Sequence, residues 1–129
     1  MRKVTLFLSC FFAMAPGIWP APDLVVEDIR VSGTTHSPWV VKVDVKNIGA
    51  ADAVGPVCVD LFVDLPAAPE IGDLSTHFEC FGHLNVNEER TVVFYTDVEP
   101  NSWWDAIIDT EGFFWEPDEA NNIRSEFIP

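Results

Sequence analysis

The chain has 129 residues, with 21 Asp or Glu against seven Lys or Arg and a formal charge of −14. That length suits one domain, and that charge repels nucleic acid and anionic lipid heads, so neither is expected as a partner. Hydrophobic residues make up 48% of the chain, too many for a disordered one.

The sequence opens with "MRKVTLFLSCFFAMAPGIWPAP". A short basic start, Arg2 and Lys3, precedes an apolar run over residues 4–15. This is the layout of a secretory signal peptide, and the run is too short to span a bilayer as a helix. Residues 1–21 are therefore read as signal peptide and leader, with cleavage somewhere from residue 15 to 21. Lipidation at Cys10 in "LFLSC" is the alternative, but it would cut the apolar run in half. No later stretch is apolar for long enough to be a transmembrane segment. The expected location is secreted, periplasmic or at the cell surface. The exported part, residues 22–129, keeps all 21 acids and five bases (Arg30, Lys42, Lys46, Arg90 and Arg124), a formal charge of 5 − 21 = −16.

Short strands follow in order. "DLVVEDIRVS" slips phase between Val26 and Ile29, which a bulge near Glu27 and Asp28 would restore. Trp39, Val41, Val43 and Val45 alternate with Val40, Lys42, Asp44 and Lys46, the pattern of a half-buried strand. "NIGAADAVG" breaks that pattern, and Val57, Val59, Leu61 and Val63 resume it. "LPAAPEIGD" reads as a loop. "STHFECFGHL", "RTVVFYTDV", "SWWDAIID" and "NIRSEFIP" complete seven strands. Their number and spacing, with no helical periodicity, predict an all-β, antiparallel sandwich.

Cys58 and Cys80 remain once the leader is gone, and an even pair in an exported domain reads as a disulfide. A zinc site that adds His77 and His83 is the competing reading.

"PDLVVEDIRVS", "VVKVDVKNIGAADA", "VCVDLFVD" and "AIIDTEGFFWEPDEANN" occur in an order that resembles the CARDB family, the cell-adhesion-related domain found in bacteria. The closing pattern falls on Asp109, Phe114, Glu116, Glu119, Asn121 and Asn122, and the resemblance covers residues 22–128. It implies a seven-stranded immunoglobulin-like sandwich that works as a module of surface proteins or exported enzymes. Cys58, Cys80 and the cluster Phe113, Phe114 and Trp115 depart from the family pattern.

Three chemistries compete for the acidic end. No nucleophile elbow, zincin motif or P-loop occurs, and no geometry singles out a carboxylate pair, so no catalytic residue is named and an enzyme is not expected. Asp109, Glu116, Asp118, Glu119 and Asn121 could together offer oxygen ligands to calcium, the one cofactor with candidate ligands here. The third reading makes Asp109, Glu116, Glu119, Asn121 and Asn122 a structural corner whose side chains replace lost ladder bonds, with Glu119 and Asn122 the foremost ties. Trp103, Phe113 and Trp115 are candidate binding aromatics, because Trp103 and Trp104 cannot both face the core. The expected function is a non-catalytic exported binding or adhesion module for a protein or glycan. A calcium-stabilised accessory domain comes next, and a small exported hydrolase third.

Overall fold

A computed structural model describes residues 20–34, 38–70, 73–75, 77–110, 112–116, 118 and 120–129. The expected signal peptide and Glu119 lie outside the described residues, apart from Pro20 and Ala21 at the end of the leader. Seven strands form: β1 (Leu24–Ser32), β2 (Trp39–Asn47), β3 (Ala53–Val63), β4 (His77–Leu84), β5 (Glu89–Thr96), β6 (Ser102–Ile108) and β7 (Ile123–Ile128). A 3-10 turn, Ala120–Asn122, leads into β7.

All pairings are antiparallel. Three strands make one sheet in the order β1-β2-β5, and four make the other in the order β4-β3-β6-β7. The fold is the all-β, seven-stranded immunoglobulin-like sandwich expected from the sequence. The bulge in β1 sits between Val26 and Asp28, where the apolar phase slipped. One boundary differs from expectation. β3 begins at Ala53, inside the stretch read as a break, and a second bulge between Val54 and Val57 absorbs the irregularity. Gly55 supplies the backbone for it at φ +116°, a region that side chains rarely adopt.

Period two places the core. Val41, Val43 and Val45 of β2 meet Val57, Val59 and Leu61 of β3, all fully buried. β6 contributes Trp104, Ala106 and Ile108 to the same core. Trp103 therefore points to the opposite face and is 49% exposed.

That opposite face is not uniformly wet. Phe62 of β3 and Asp105 and Ile107 of β6 lie on it, yet all three are buried. The segment after β3 runs alongside: Leu65, Pro66, Ala67 and Ala68 wall a cavity that Asp105 also lines. The Ser75 hydroxyl donates to Asp60 Oδ2 at 2.6 Å and ties the far part of this segment to β3. Among the described residues, no helix is long and apolar enough to cross a membrane.

Candidate functional site

Two groups of chemistry-bearing residues lie at opposite ends of the sandwich. The first is the acidic corner after β6. Asp109 takes φ +57° as β6 ends, and its backbone N–H still donates to the Cys58 carbonyl at 2.8 Å. Its carboxyl oxygens accept from the N–H groups of Phe113 and Phe114, each at 2.9 Å, which closes the turn. Glu116 is fully buried. Its Oε1 accepts from the Leu24 N–H at 2.6 Å, across 92 positions of sequence, and its Oε2 accepts from Asn122 Nδ2 at 2.9 Å. Asn122, also fully buried, donates as well to the Ile108 carbonyl at 3.2 Å. Asp118 accepts from the Ala120 N–H at 2.9 Å, and Asn121 Nδ2 donates to Asp23 Oδ1 at 3.0 Å.

The first strand is thus fastened by the corner, and a second buried amide completes the fastening. Asn47 ends β2 fully buried. Its Oδ1 accepts from the N–H groups of Asp23 at 3.1 Å and Gly49 at 3.0 Å. Its Nδ2 donates to the carbonyls of Ala51 at 2.8 Å and Leu84 at 3.0 Å. Gly49 lets the chains approach: a Cβ there would stand 2.4 Å from both the Ala21 carbonyl oxygen and the Asp23 nitrogen. The structure thus makes Asp109, Glu116, Asn121 and Asn122 hydrogen-bonding partners of the corner. Both carboxyl oxygens of Asp109 and both of Glu116 face amide donors. No group of three or more metal-binding side chains converges among the described residues. Asn47 is the part that sequence reading missed. Its only signal was the "NIG" at a strand end, and the partners it ties lie as far as 37 positions away.

Cys58 and Cys80 stand directly opposite each other on β3 and β4 and are joined as a disulfide, with Cα atoms 4.0 Å apart. The zinc alternative with His77 and His83 is corrected by this bond, since a disulfide leaves no thiolate to ligate a metal. β4 is an edge strand that buries only Leu84 fully, so the bridge staples an edge and not the core. Reduction is expected to lower stability by about 3 kcal/mol in the chain-entropy model while the sandwich survives. Thermal melting with and without reductant, followed by far-ultraviolet dichroism, checks both parts.

The second group lies on the covered face of the four-stranded sheet. Trp103 is half-exposed, and its ring meets Phe127 of β7 edge-on at 5.7 Å between centroids. Next along the same face of β6, Asp105 is 2% exposed and pairs across the strands with Ser125, whose hydroxyl donates to Asp105 Oδ1. Both residues line a cavity of about 360 Å³ walled by residues 65–68. The candidate aromatics do not form one patch. The Asp64 N–H donates to the Trp103 carbonyl, whereas Phe113 lies against Gly55. Gly55 near the start of β3 and Asp64 just past its end are about 30 Å apart at the rise of an extended strand. Phe113 is 62% exposed, and Trp115 is half-buried beside the corner.

Burial raises the Asp105 carboxyl above its ordinary value, and the Ser125 hydrogen bond pulls it only part of the way back. The folded state therefore holds more protons than the unfolded one between the ordinary carboxylate value and the raised one. Stability from this group rises as pH falls through that window and is complete below it. Asp105→Asn is expected to flatten this segment of a melting-temperature-against-pH curve and to raise melting at neutral pH. Asp44 has the opposite sign. Burial pushes its carboxyl up, but the Thr91 hydroxyl and Arg30 outweigh that and hold it below the ordinary value. Its contribution is lost as pH falls, so the two residues separate cleanly in single variants.

With this geometry in place, the comparison with solved structures decides the fold. A domain of a predicted cell surface protein from Methanosarcina acetivorans superposes with a TM-score of 0.68 at 20% identity, covering 84% of this chain and 90% of that one. The CARDB domain of a Pyrococcus furiosus protein, solved in complex with di-metal ions, superposes at 0.62 with 23% identity, covering 81% and 84%. The chain has the CARDB fold. A solution structure of the same Pyrococcus domain agrees, at a TM-score of 0.62 and 22% identity over 83% of this chain and 93% of that one. No protein-family model and no curated protein sequence matches the chain. The CARDB resemblance read from the sequence motifs is thus met at the level of structure.

Proposed function

We propose that the chain is a non-catalytic binding module of an exported or cell-surface assembly, and that it takes its protein or glycan partner on the covered face of the four-stranded sheet. One observation carries this reading. Trp103 presents a half-exposed indole, braced by Phe127, at the mouth of a cavity with a buried carboxyl. An aromatic held rigid beside a cavity gives contact area at low entropic cost, which suits recognition. Export is supported by the basic start and apolar run over residues 2–15, and by the CARDB-fold domain of a predicted cell surface protein.

The acidic corner is the weaker candidate for a partner site, because its carboxyl groups already accept from backbone and side-chain amides. Phe113, though exposed, covers the bulge at Gly55, which gives it a packing role. Binding the wild type and Trp103→Ala to a glycan array and to a panel of purified surface proteins tests the proposal. A partner lost in Trp103→Ala at unchanged melting supports it. A partner kept in Trp103→Ala but lost in Phe113→Ala moves the site to the corner and refutes it.

The second reading is a calcium-stabilised accessory domain, favoured by the Pyrococcus CARDB domain having been solved with di-metal ions. Calcium bound only to the native state would raise the melting temperature by mass action. Melting in chelator and in millimolar calcium separates the two readings.

A further inference from the structure

Resting on the proposed binding role of this face, we infer that the cavity between residues 65–68 and strands β6 and β7 receives an alkylammonium group: the side chain of a lysine on a basic polypeptide partner, held by the Asp105 carboxyl and the Trp103 ring.

Three observations converge on that chemistry. The first is the carboxyl itself. Asp105 is 2% exposed and lines the cavity, and the Ser125 hydroxyl donates to its Oδ1. Among the described residues it has no cationic partner. Arg30 pairs with Asp28 and Asp44, Lys46 with Glu89, Arg90 with Glu88, and Arg124 with Glu126, while Lys42 stands on β2 of the other sheet, where its charge acts on Asp44. A buried carboxylate without a counter-charge is costly, and a cation brought by a partner removes much of that cost.

The second is the wall. Leu65, Pro66, Ala67 and Ala68 offer hydrocarbon and no polar side chain. A sugar ring would need several donors and acceptors around it, and the Ser125 hydroxyl is already committed to Asp105. A four-carbon methylene chain needs none, and about 360 Å³ is ample for it. The third is the rim. Trp103 is half-exposed, and the edge-on contact with Phe127 fixes its ring. An ammonium near an indole face gains a cation–π attraction that a neutral ligand lacks. The formal charge of −14 adds a long-range pull on a basic partner.

The test uses the full chain and three small probes: N-acetyl-lysine methylamide, its neutral counterpart N-acetyl-norleucine methylamide, and cellohexaose. Binding is read from the Trp103 indole N–H resonance and by calorimetry, in the wild type, Asp105→Asn and Trp103→Ala, with melting as a check on folding. The lysine probe is expected to bind with a Kd on the order of millimolar, and about tenfold or more tighter than norleucine. Asp105→Asn should remove that advantage at unchanged or higher melting temperature. Lowering the pH should weaken lysine binding as a proton competes for Asp105. The other charged groups around it are Asp60 and Asp64, on either side of its cross-strand neighbour Phe62, and the Arg124–Glu126 pair flanking Ser125 on β7, so Asp60→Asn, Asp64→Asn and Glu126→Gln are the controls and should each leave most of the pH effect in place. Equal binding of lysine and norleucine, or lysine binding that survives Asp105→Asn, would overturn the inference. Cellohexaose binding that depends on Trp103, without lysine binding, would overturn it too while leaving the broader binding role intact. If no probe moves Trp103 and the array partner is also indifferent to it, both fall.

Discussion

Replacing Asn47 by alanine is expected to cost about 4 kcal/mol of folding stability, from four hydrogen bonds at about 1 kcal/mol each. One fully buried side chain joins four backbone groups from three places: Asp23 before β1, Gly49 and Ala51 in the turn after β2, and Leu84 at the end of β4. Alanine leaves two N–H donors and two carbonyls looking for partners. Some recover water, because three of the four bonds are only partly buried, while the bond to Leu84 is buried. A domain of this kind holds about 5–15 kcal/mol in all, so the variant should be marginal at physiological temperature. Urea unfolding followed by tryptophan fluorescence measures the loss directly. A change of less than about 1 kcal/mol would show that solvent replaces these bonds, and that Asn47 is not a fastener.

Glu116→Ala is the second large effect, expected at about 3 kcal/mol from the loss of two buried bonds to a carboxyl group. The Leu24 N–H would lose its acceptor at the start of β1, and the Asn122 amide would keep only the Ile108 carbonyl. Glu116→Gln should cost less. Its one remaining oxygen can still accept from Leu24, and Asn122 can turn its Oδ1, which has no partner among the described residues, toward the new amide. The order wild type, then Gln, then Ala is the signature of a hydrogen-bonding fastener. The same order must appear in chelator and in millimolar calcium. A loss for Glu116→Ala that appears only in calcium would instead make this carboxyl a metal ligand.

The parts of the fold that were legible in the sequence were those where burial obeys strict alternation. Val41, Val43 and Val45, and Val57, Val59 and Leu61, announced their inward faces, and the phase slip at Val26 announced the bulge. The split between Trp103 and Trp104 followed from the same period. Alternation fails where a face is covered by something outside the sheet. Phe62, Asp105 and Ile107 sit on the face that the pattern assigns to solvent, and all are buried. The apolar residues on both faces in "DLFVD" and "DAII" were the signal, but the segment that lies beside them read only as a loop.

The corner was half legible. Asp and Asn side chains that bond to nearby backbone are a local rule, and Asp109 and Asp118 make such bonds, whereas Asn122 reaches back 14 positions to Ile108. The reach of Glu116 to Leu24 spans 92 positions and follows from tertiary packing alone, as does the four-way role of Asn47. Carboxyl density by itself also suited a calcium loop, the alternative to a structural corner. What separates the two uses is where the oxygens aim, and that is a property of the folded chain.

A proton–nitrogen correlation spectrum of the labelled domain, titrated with the partner found on the array, tests the central claim most directly. The account predicts that shifts concentrate on the Trp103 indole and on the amides of Asp105, Ser125, Phe127, Leu65, Ala67 and Ala68, with Phe113, Phe114 and Trp115 unmoved. Shifts confined to the Phe113 end, with the Trp103 face silent, would contradict it.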